Sequence, residues 1–316
     1  MIDEQYTAAL LVAFENTVCP NCAFAENISI YTFTDKFGSY NLVRCKYCQL
    51  SYLNPRPTKS TIGIYYEAGQ YTPFLSSGSD FSLFGRLYTA IRKYSVRWKR
   101  KKIEHFRAGS SILDIGCGTG EFLSEMQSNG WATCGLEPSQ EASEFARKTY
   151  HLEIETGFID HKDMEFSISR FDVITMWHVL EHVHSPLEAL DRVRTLLAAD
   201  GLLIIALPNV SSFDAGAYKK DWVALDVPRH LLHFTPDTLK SILHKAGMEI
   251  VKQHQMPLDT VFNCLMSEKK IMENVPWYTI PFFLLRMKLL ILISWIVGLN
   301  NKRGSSVMYY VRKIKA

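Results

Sequence analysis

The chain of 316 residues is long enough for one sizeable α/β domain with a small module attached. Its 47% apolar and 21% charged residues exclude a disordered or low-complexity polymer. A net charge of +3 makes no demand for a polyanionic partner, and Asp3 and Glu4 stand where a secretory signal would carry basic residues, so a cytoplasmic setting is expected.

In that reducing setting the seven cysteines are not expected to form disulfides. Cys19-Pro-Asn-Cys22 and Cys45-Lys-Tyr-Cys48 are two C-x2-C pairs with 22 residues between them. Each pair is a tight knuckle that aims two thiolates at one ion, and two knuckles complete a tetrahedral four-sulfur site. Residues 28–40 alternate aromatic or β-branched with polar side chains, the pattern of a small hairpin. We read residues 1–62 as a zinc ribbon with Cys19, Cys22, Cys45 and Cys48 as its ligands, in preference to two disulfides or four unrelated thiols. Such a site is closed and therefore structural. The metal would supply about 10–16 kcal/mol of folding energy to a module without a core of its own. Cys117, Cys134 and Cys264 show no pairing pattern, and the first two read as packing residues.

Residues 63–108 form a connector. It follows Leu53-Asn-Pro-Arg-Pro57, which is stiff and extended. Ile64, Tyr65, Tyr66 and Tyr71 precede a Ser/Gly-rich loop at residues 76–80. A helix is expected over residues 83–106, with Leu87, Ile91, Tyr94 and Trp98 at helical spacing. It also carries Arg86, Arg92, Lys93, Arg97, Lys99, Arg100, Lys101 and Lys102. A linker with a solvated basic face is the preferred account, and a surface for the phosphates of nucleic acid or lipid is the sharper one.

Residues 109–316 carry the chemistry. Ser111-Ile-Leu-Asp-Ile-Gly-Cys-Gly-Thr-Gly120 reads as a buried strand and a tight turn, followed by a helix over residues 121–129. Side chains at Gly116, Gly118 or Gly120 would hold a ligand off the backbone. Residues 131–136 form a second strand ending in Glu137-Pro138, where a carboxylate can accept both hydroxyls of a ribose. A helix over 140–150 and a strand at 152–155 follow, and residues 157–160 would lie beside an adenine. A fourth strand spans 171–177. After His178-Val-Leu-Glu-His182-Val-His-Ser-Pro186 come a helix over 187–197 and the apolar run 201–208, which suits a strand buried on both faces. Thr235-Pro236 caps a helix that stops at Gly247. The last strands are 248–253 and 306–312.

Asp-Ile-Gly-Cys-Gly-Thr-Gly, with Asp114 two residues before the first glycine, resembles motif I of class I S-adenosylmethionine (SAM) methyltransferases. It is not the G-x-G-x-x-G of nicotinamide and flavin binders. The pattern F-D-V-I-x-x-x-H-V-L-E-H-V-x-x-P from Phe171 to Pro186 resembles the group that includes ubiquinone-biosynthesis O-methyltransferases and sugar methyltransferases. The four-cysteine module, the P-R-P connector and R-H-L-x-H-F-T from Arg229 resemble zinc-containing sugar C-methyltransferases and related polysaccharide-cluster enzymes. That likeness covers most of residues 19–247.

The resemblance implies a Rossmann-like, seven-stranded α/β sheet with helices on both faces, its reversed final strand inserted between strands five and six. It implies SAM contacts at Asp114, Gly116, Cys117, Gly118, Gly120, Glu137, Pro138, Met176, Trp177 and His178. Proton transfer falls to His230, with His182 and His178 near the acceptor, because histidine titrates near neutral pH. Arg229 stands where the sugar C-methyltransferases carry a glutamate. Ubiquinone-type enzymes hold a divalent ion on the pair matching Glu181-His182 and on a glutamate three residues earlier, where this chain has His178. His178, Glu181 and His182 are therefore an alternative metal set.

The expected reaction moves the methyl of SAM to a small-molecule acceptor, a sugar or lipid-linked saccharide, at oxygen or carbon. The rival is an RNA methyltransferase that uses the ribbon and basic helix to hold rRNA. The modest net charge and the lack of an Asn/Asp-Pro-Pro-aromatic motif after strand four stand against it, so nucleic acid is not the expected partner. A non-catalytic module with a decayed SAM fold is a third reading, opposed by the intact glycines and Glu137.

An apolar helical insertion is expected at residues 265–304, between the last two strands. From Thr279 to Leu299 it is nearly all apolar, and Arg286 and Lys288 split it into parts too short to span a bilayer. Lys269, Lys270, Lys302 and Arg303 flank it, and Trp277, Tyr278 and Trp295 suit an interface. Two accounts stay open. One is peripheral contact with the inner membrane surface; the other is packing over the sheet or against a second copy.

Overall fold

The computed structural model describes residues 12–67, 83–106, 110–160, 166–273, 275–299 and 303–315. Tyr71, the 76–80 loop and Lys302 lie outside these residues, as do the side chains of Arg86, Leu87 and Trp277.

The cysteine module is built on antiparallel pairs. β1 (Phe14–Glu15) lies on β5 (Arg56–Pro57), and β2 (Asn27–Asp35), β3 (Gly38–Cys45) and β4 (Ser51–Leu53) form a meander. A short α1 (Ile64–Glu67) follows, then the 24-residue α2 (Leu83–Phe106) at the expected bounds. The module does borrow a core. Leu42, Val43, Leu50, Tyr52 and Leu53 are at most 4% exposed and belong to the same apolar cluster as Leu225, Leu231 and Phe234 far along the chain.

The main sheet follows the alternation of its strands. β6 (Ser111–Ile115), β7 (Ala132–Glu137), β8 (Glu153–Thr156), β9 (Phe171–Trp177), β10 (Leu197–Pro208), β12 (Met248–Gln255) and β13 (Ser306–Lys313) pair in the order β12-β13-β10-β9-β6-β7-β8. β13 runs antiparallel to both neighbours, and the remaining pairs are parallel. The implied Rossmann-like sheet, with its reversed strand inserted, is what the chain adopts. Side chains one residue apart go to opposite faces. Thus Ile112, Val173, Leu202 and Ile204 pack one core with α2, α3 (Glu121–Gln127) and α4 (Gln140–Tyr150), while Leu113, Ile174, Leu203 and Ile205 pack the other with α5 (Pro186–Leu196) and α7 (Pro236–Lys245). Thr235 caps α7 with the expected reach of its side chain to the Thr238 amide.

Between β10 and α7 lie α6 (Phe213–Tyr218), a turn at Val223–Leu225 and β11 (Leu232–His233). β11 pairs antiparallel with β4, so the methyltransferase-like segment supplies the fourth strand of the ribbon sheet. The Leu53 amide donates to the Leu231 carbonyl at 3.0 Å. The excursion before β13 starts earlier than expected, with α8 (Pro257–Met272), and continues in α9 (Ile280–Gly298). The apolar stretch is one 19-residue helix, and its Arg286 folds back onto Glu268 with guanidinium contacts at 2.8 and 2.9 Å. Among the described residues it is the one helix long and apolar enough to cross a membrane.

Candidate active site

The four module cysteines converge. Cys19 and Cys48 Sγ are 3.4 Å apart, Cys22 and Cys45 Sγ 3.5 Å, and all four lie within 4.8 Å of one another. A tetrahedral zinc with bonds of about 2.3 Å requires sulfurs about 3.8 Å apart. The knuckles are built alike. Cys19 and Cys45 each receive, at their carbonyl, the amide of a left-handed residue four positions on, Ala23 and Gln49. Burial pushes the Cys19 thiol up, so a thiolate there requires a cation beside it. Donor set, spacing and burial fit zinc. The first knuckle is docked by α7, since Asn21 donates to Ser241 Oγ at 3.2 Å and Lys245 donates to the Asn21 carbonyl.

At the end of β6 the backbone of Gly116, Gly118 and Gly120 is left-handed, with φ of 71°, 55° and 84°. A Cβ at Gly116 would meet the Val179 side chain, and one at Gly120 would meet Leu152 and Ala146. A Cβ at Gly118 would meet nothing within 4 Å. That opening is where a ligand can lie on bare backbone. Glu137 is 2% exposed and accepts the amides of Gly118 and Ser139, each at 2.9 Å. A carboxylate has about four lone-pair positions, so two remain for a pair of hydroxyls. Burial pushes Glu137 up from its ordinary value and Asp114 up to about 7, the latter despite a hydrogen bond from Thr175 at 2.6 Å. Trp177 lies beside Phe122, and its buried indole N–H has no partner. Lys99 of α2 reaches over the same ring at 4.3 Å. Two carboxylates, an unsatisfied donor and an open backbone cradle suit a zwitterionic nucleoside such as SAM.

Val179, which closes on Gly116, leads straight into the turn Leu180–His182, so the cofactor turn and the histidines abut. His182 and His230 meet edge to face with ring centroids 4.6 Å apart. His230 Nδ1 donates to the Ala224 carbonyl at 2.9 Å, which leaves Nε2 with its lone pair. Burial, with the nearby His182 and His233, pushes His230 well below its ordinary value, so it is neutral at pH 7. His182 Nδ1 lies 3.0 Å from the Arg229 carbonyl and 2.9 Å from the Tyr66 hydroxyl, leaving its Nε2 open as well. His178 is different. Its backbone is left-handed at φ 56°, and its ring spans Asp259 at 3.1 Å and Glu181 at 3.4 Å. Burial opposes its charge, but these two carboxylates outweigh burial and push it up to about 10. It therefore keeps its proton and cannot serve as a base at neutral pH.

The expected cofactor residues differ in which atoms they can present to a ligand. The Met176 side chain is fully buried in the core, so only its backbone is at the strand end. Cys117 packs into the smaller core, and burial holds its thiol well above the ordinary value. Pro138 is exposed beyond Glu137. The alternative metal set regroups: Glu181, His182 and His230 bring one ligand atom each within 4.8 Å. Both Glu181 oxygens are buried, and Oε1 lies 3.4 Å from His178 Nδ1 and 4.0 Å from His230 Nε2, so a divalent ion there would have to share this carboxylate with His178. Arg229 turns away to pair bidentately with Asp226. The basic face of α2 is partly spent on ion pairs, Arg92 with Glu121 and Arg100 with Glu104 and Glu125. Sequence reasoning missed Asp259 and the inward reach of Lys99. Asp259 sits in a different element from its partner. Lys99 has no local mark that separates it from its basic neighbours.

A sequence profile described as a methyltransferase domain matches residues 88–253, just over half of the chain. The ubiquinone biosynthesis O-methyltransferase of Cereibacter sphaeroides is 30% identical over 178 residues, which cover 52% of this chain and 71% of that protein. The protein of the same name from Actinobacillus pleuropneumoniae is 32% identical over 111 residues, covering 32% of this chain and 47% of that protein. Most of these relatives are spanned over about half to two thirds of their length. Among solved structures, a SAM-dependent methyltransferase from Archaeoglobus fulgidus aligns with a TM-score of 0.47 at 19% identity, covering 70% of this chain and 94% of that one.

Proposed function

The chain belongs to the class I SAM-dependent methyltransferases, and we propose that it methylates a small-molecule acceptor, a sugar or lipid-linked saccharide, with His230 as the base. The observation that carries this is His230, whose Nδ1 donates to the Ala224 carbonyl and whose ring meets that of His182, in the turn that abuts the cofactor cradle. Bound SAM supplies a methyl group already activated on a sulfonium. The protein has to align the acceptor and take up its proton. Asp114, Glu137, Trp177 and the Gly116–Gly120 turn hold the cofactor. His230 Nε2 accepts the acceptor proton as the oxygen–methyl bond forms. His182, steadied by Tyr66 and the Arg229 carbonyl, orients the hydroxyl. The named relatives methylate oxygen, which supports O-methylation. The diversion of Arg229 to Asp226 supports it too, since the residue beside His230 does not join a proton relay.

His230→Ala and His182→Ala should each lower methyl transfer from labelled SAM by about 10²–10⁴-fold while leaving S-adenosylhomocysteine affinity within about twofold. Transfer at the wild-type rate in His230→Ala would remove it as the base. A panel of sugar nucleotides, lipid-linked saccharides and rRNA fragments decides the acceptor class; labelled rRNA alone would select the RNA reading.

A second reading places a divalent ion on Glu181, His182 and His230, favoured by the convergence of one ligand atom from each within 4.8 Å. Such an ion would polarise an acceptor oxygen. As part of the same function, the apolar stretch from Thr279 to Leu299 would rest on the inner membrane surface, near a lipid-linked acceptor.

A further inference from the structure

Both helices of the excursion between β12 and β13 are built inside out. In α8 the buried face is polar: Thr260, Asn263, Ser267 and Glu268 are at most 6% exposed. Its outer face is apolar, with Leu258, Val261, Phe262 and Leu265 at 41–50% exposed. α9 repeats the pattern. Arg286 turns inward to Glu268 and Ser294 is fully buried, whereas Phe282, Leu285, Leu289, Leu292 and Ile296 are 52–67% exposed. In water such a face forgoes about 1.5–3 kcal/mol for each large side chain left uncovered. Against hydrocarbon the same face is the favourable one.

We propose that α8 and α9 together form an in-plane anchor on an anionic lipid surface, and that the anchor doubles as a wall of the active site, so that docking orders the site. This rests on the membrane contact proposed above and extends it to α8 and to the chemistry. The width of the face favours lipid over a second copy. With Leu284 and Trp295, the exposed side chains of α9 cover close to half of the helix circumference at about 100° per residue, wider than a coiled-coil seam. Charge agrees. α9 carries no acidic residue, Lys288 is the one charge on its outer face, Lys269 and Lys270 stand in the last turn of α8, and Arg303 follows α9. Topology excludes a crossing by α9 alone. Gln255 and Val307 are register partners in adjacent strands, so the chain leaves and re-enters the sheet at one edge.

The inner face of α8 grips the site at three points. Asp259 holds His178 at 3.1 Å. Ser267 Oγ accepts the Val223 amide at 2.8 Å, at the start of the turn whose Ala224 and Leu225 carbonyls hold His230 and His233. The Cys264 carbonyl accepts the Tyr218 hydroxyl at 3.3 Å. A helix seated in lipid therefore fixes the elements that carry His178 and His230.

The test uses the zinc-loaded full chain and phosphatidylcholine vesicles with or without phosphatidylglycerol. The wild type should co-sediment with the anionic vesicles, and docking should tighten S-adenosylhomocysteine binding by about fivefold. Two surface variants, Phe262→Glu/Leu265→Glu in α8 and Leu285→Glu/Leu289→Glu in α9, should each lose at least about tenfold in partitioning. Asp259→Asn should dock like the wild type without the gain in affinity. If only the α9 variant fails to dock, the membrane contact stands and the two-helix anchor falls. Docking with no change in affinity overturns the coupling. A dimer that the α9 variant dissociates, with no vesicle binding, assigns the face to a second copy and overturns both.

Discussion

A methyl group added at Gly120 would press on Leu152 and Ala146, whereas one added at Gly118 would enter open space. Two substitutions therefore separate packing from binding. Gly120→Ala combines overpacking with a left-handed backbone and should cost about 2–4 kcal/mol of stability. Gly118→Ala carries the backbone cost alone, about 1–2 kcal/mol. It should nevertheless lose at least about tenfold in S-adenosylhomocysteine affinity, read by calorimetry. Equal affinity losses at modest and equal stability cost would show that the opening at Gly118 is not the ligand side. Asp114 makes a second prediction. Its folded value of about 7 stands above the ordinary 3.8, so its contribution to stability is present below 3.8 and is lost as pH rises through about 7. The melting temperature of the cofactor-free protein should fall across that window, and Asp114→Asn should flatten the fall by a few degrees. An unchanged slope in the variant would sink the assignment.

Strands and helices of the main sheet are legible in the sequence from local signals, short apolar runs for β9 and β10 and a period near 3.6 for α4 and α7. The cofactor turn is legible for the same reason, since its strand, glycines and helix are contiguous. β11 is not, because two residues carry no period, and its strand character comes entirely from β4. The inside-out polarity of α8 is hidden as well. Thr260, Asn263 and Ser267 read as solvent-facing until Glu268 and Arg286 are seen to pair. In sequence, His178 and His182 share one expected place, near the acceptor. His178 is set apart by Asp259, more than eighty residues away. The ribbon sheet gives an element-scale prediction. Chelating its zinc should release β4 and raise amide hydrogen exchange across residues 229–234 by about tenfold, with methyl transfer falling and S-adenosylhomocysteine binding kept within about twofold. Unchanged protection there would show that β11 does not depend on the metal.

Across the whole molecule, one apolar cluster runs from the cysteine knuckles through the sheet to α5 and α7, so ribbon and methyltransferase domain share a core. The β4–β11 pairing is the backbone part of that union, and the stretch between its two strands includes the entire cofactor-binding half of the chain. This has a consequence for how such proteins can diversify. A crossover that replaces the acceptor loop around Leu232 but keeps the old ribbon sets two edges together that were never matched. Exchanging the segment from β6 to β9 between them leaves the edges intact. Ribbon and acceptor loop should thus be inherited as one split cassette, and libraries that shuffle them jointly should yield more folded chimeras than libraries cut at the apparent module boundary.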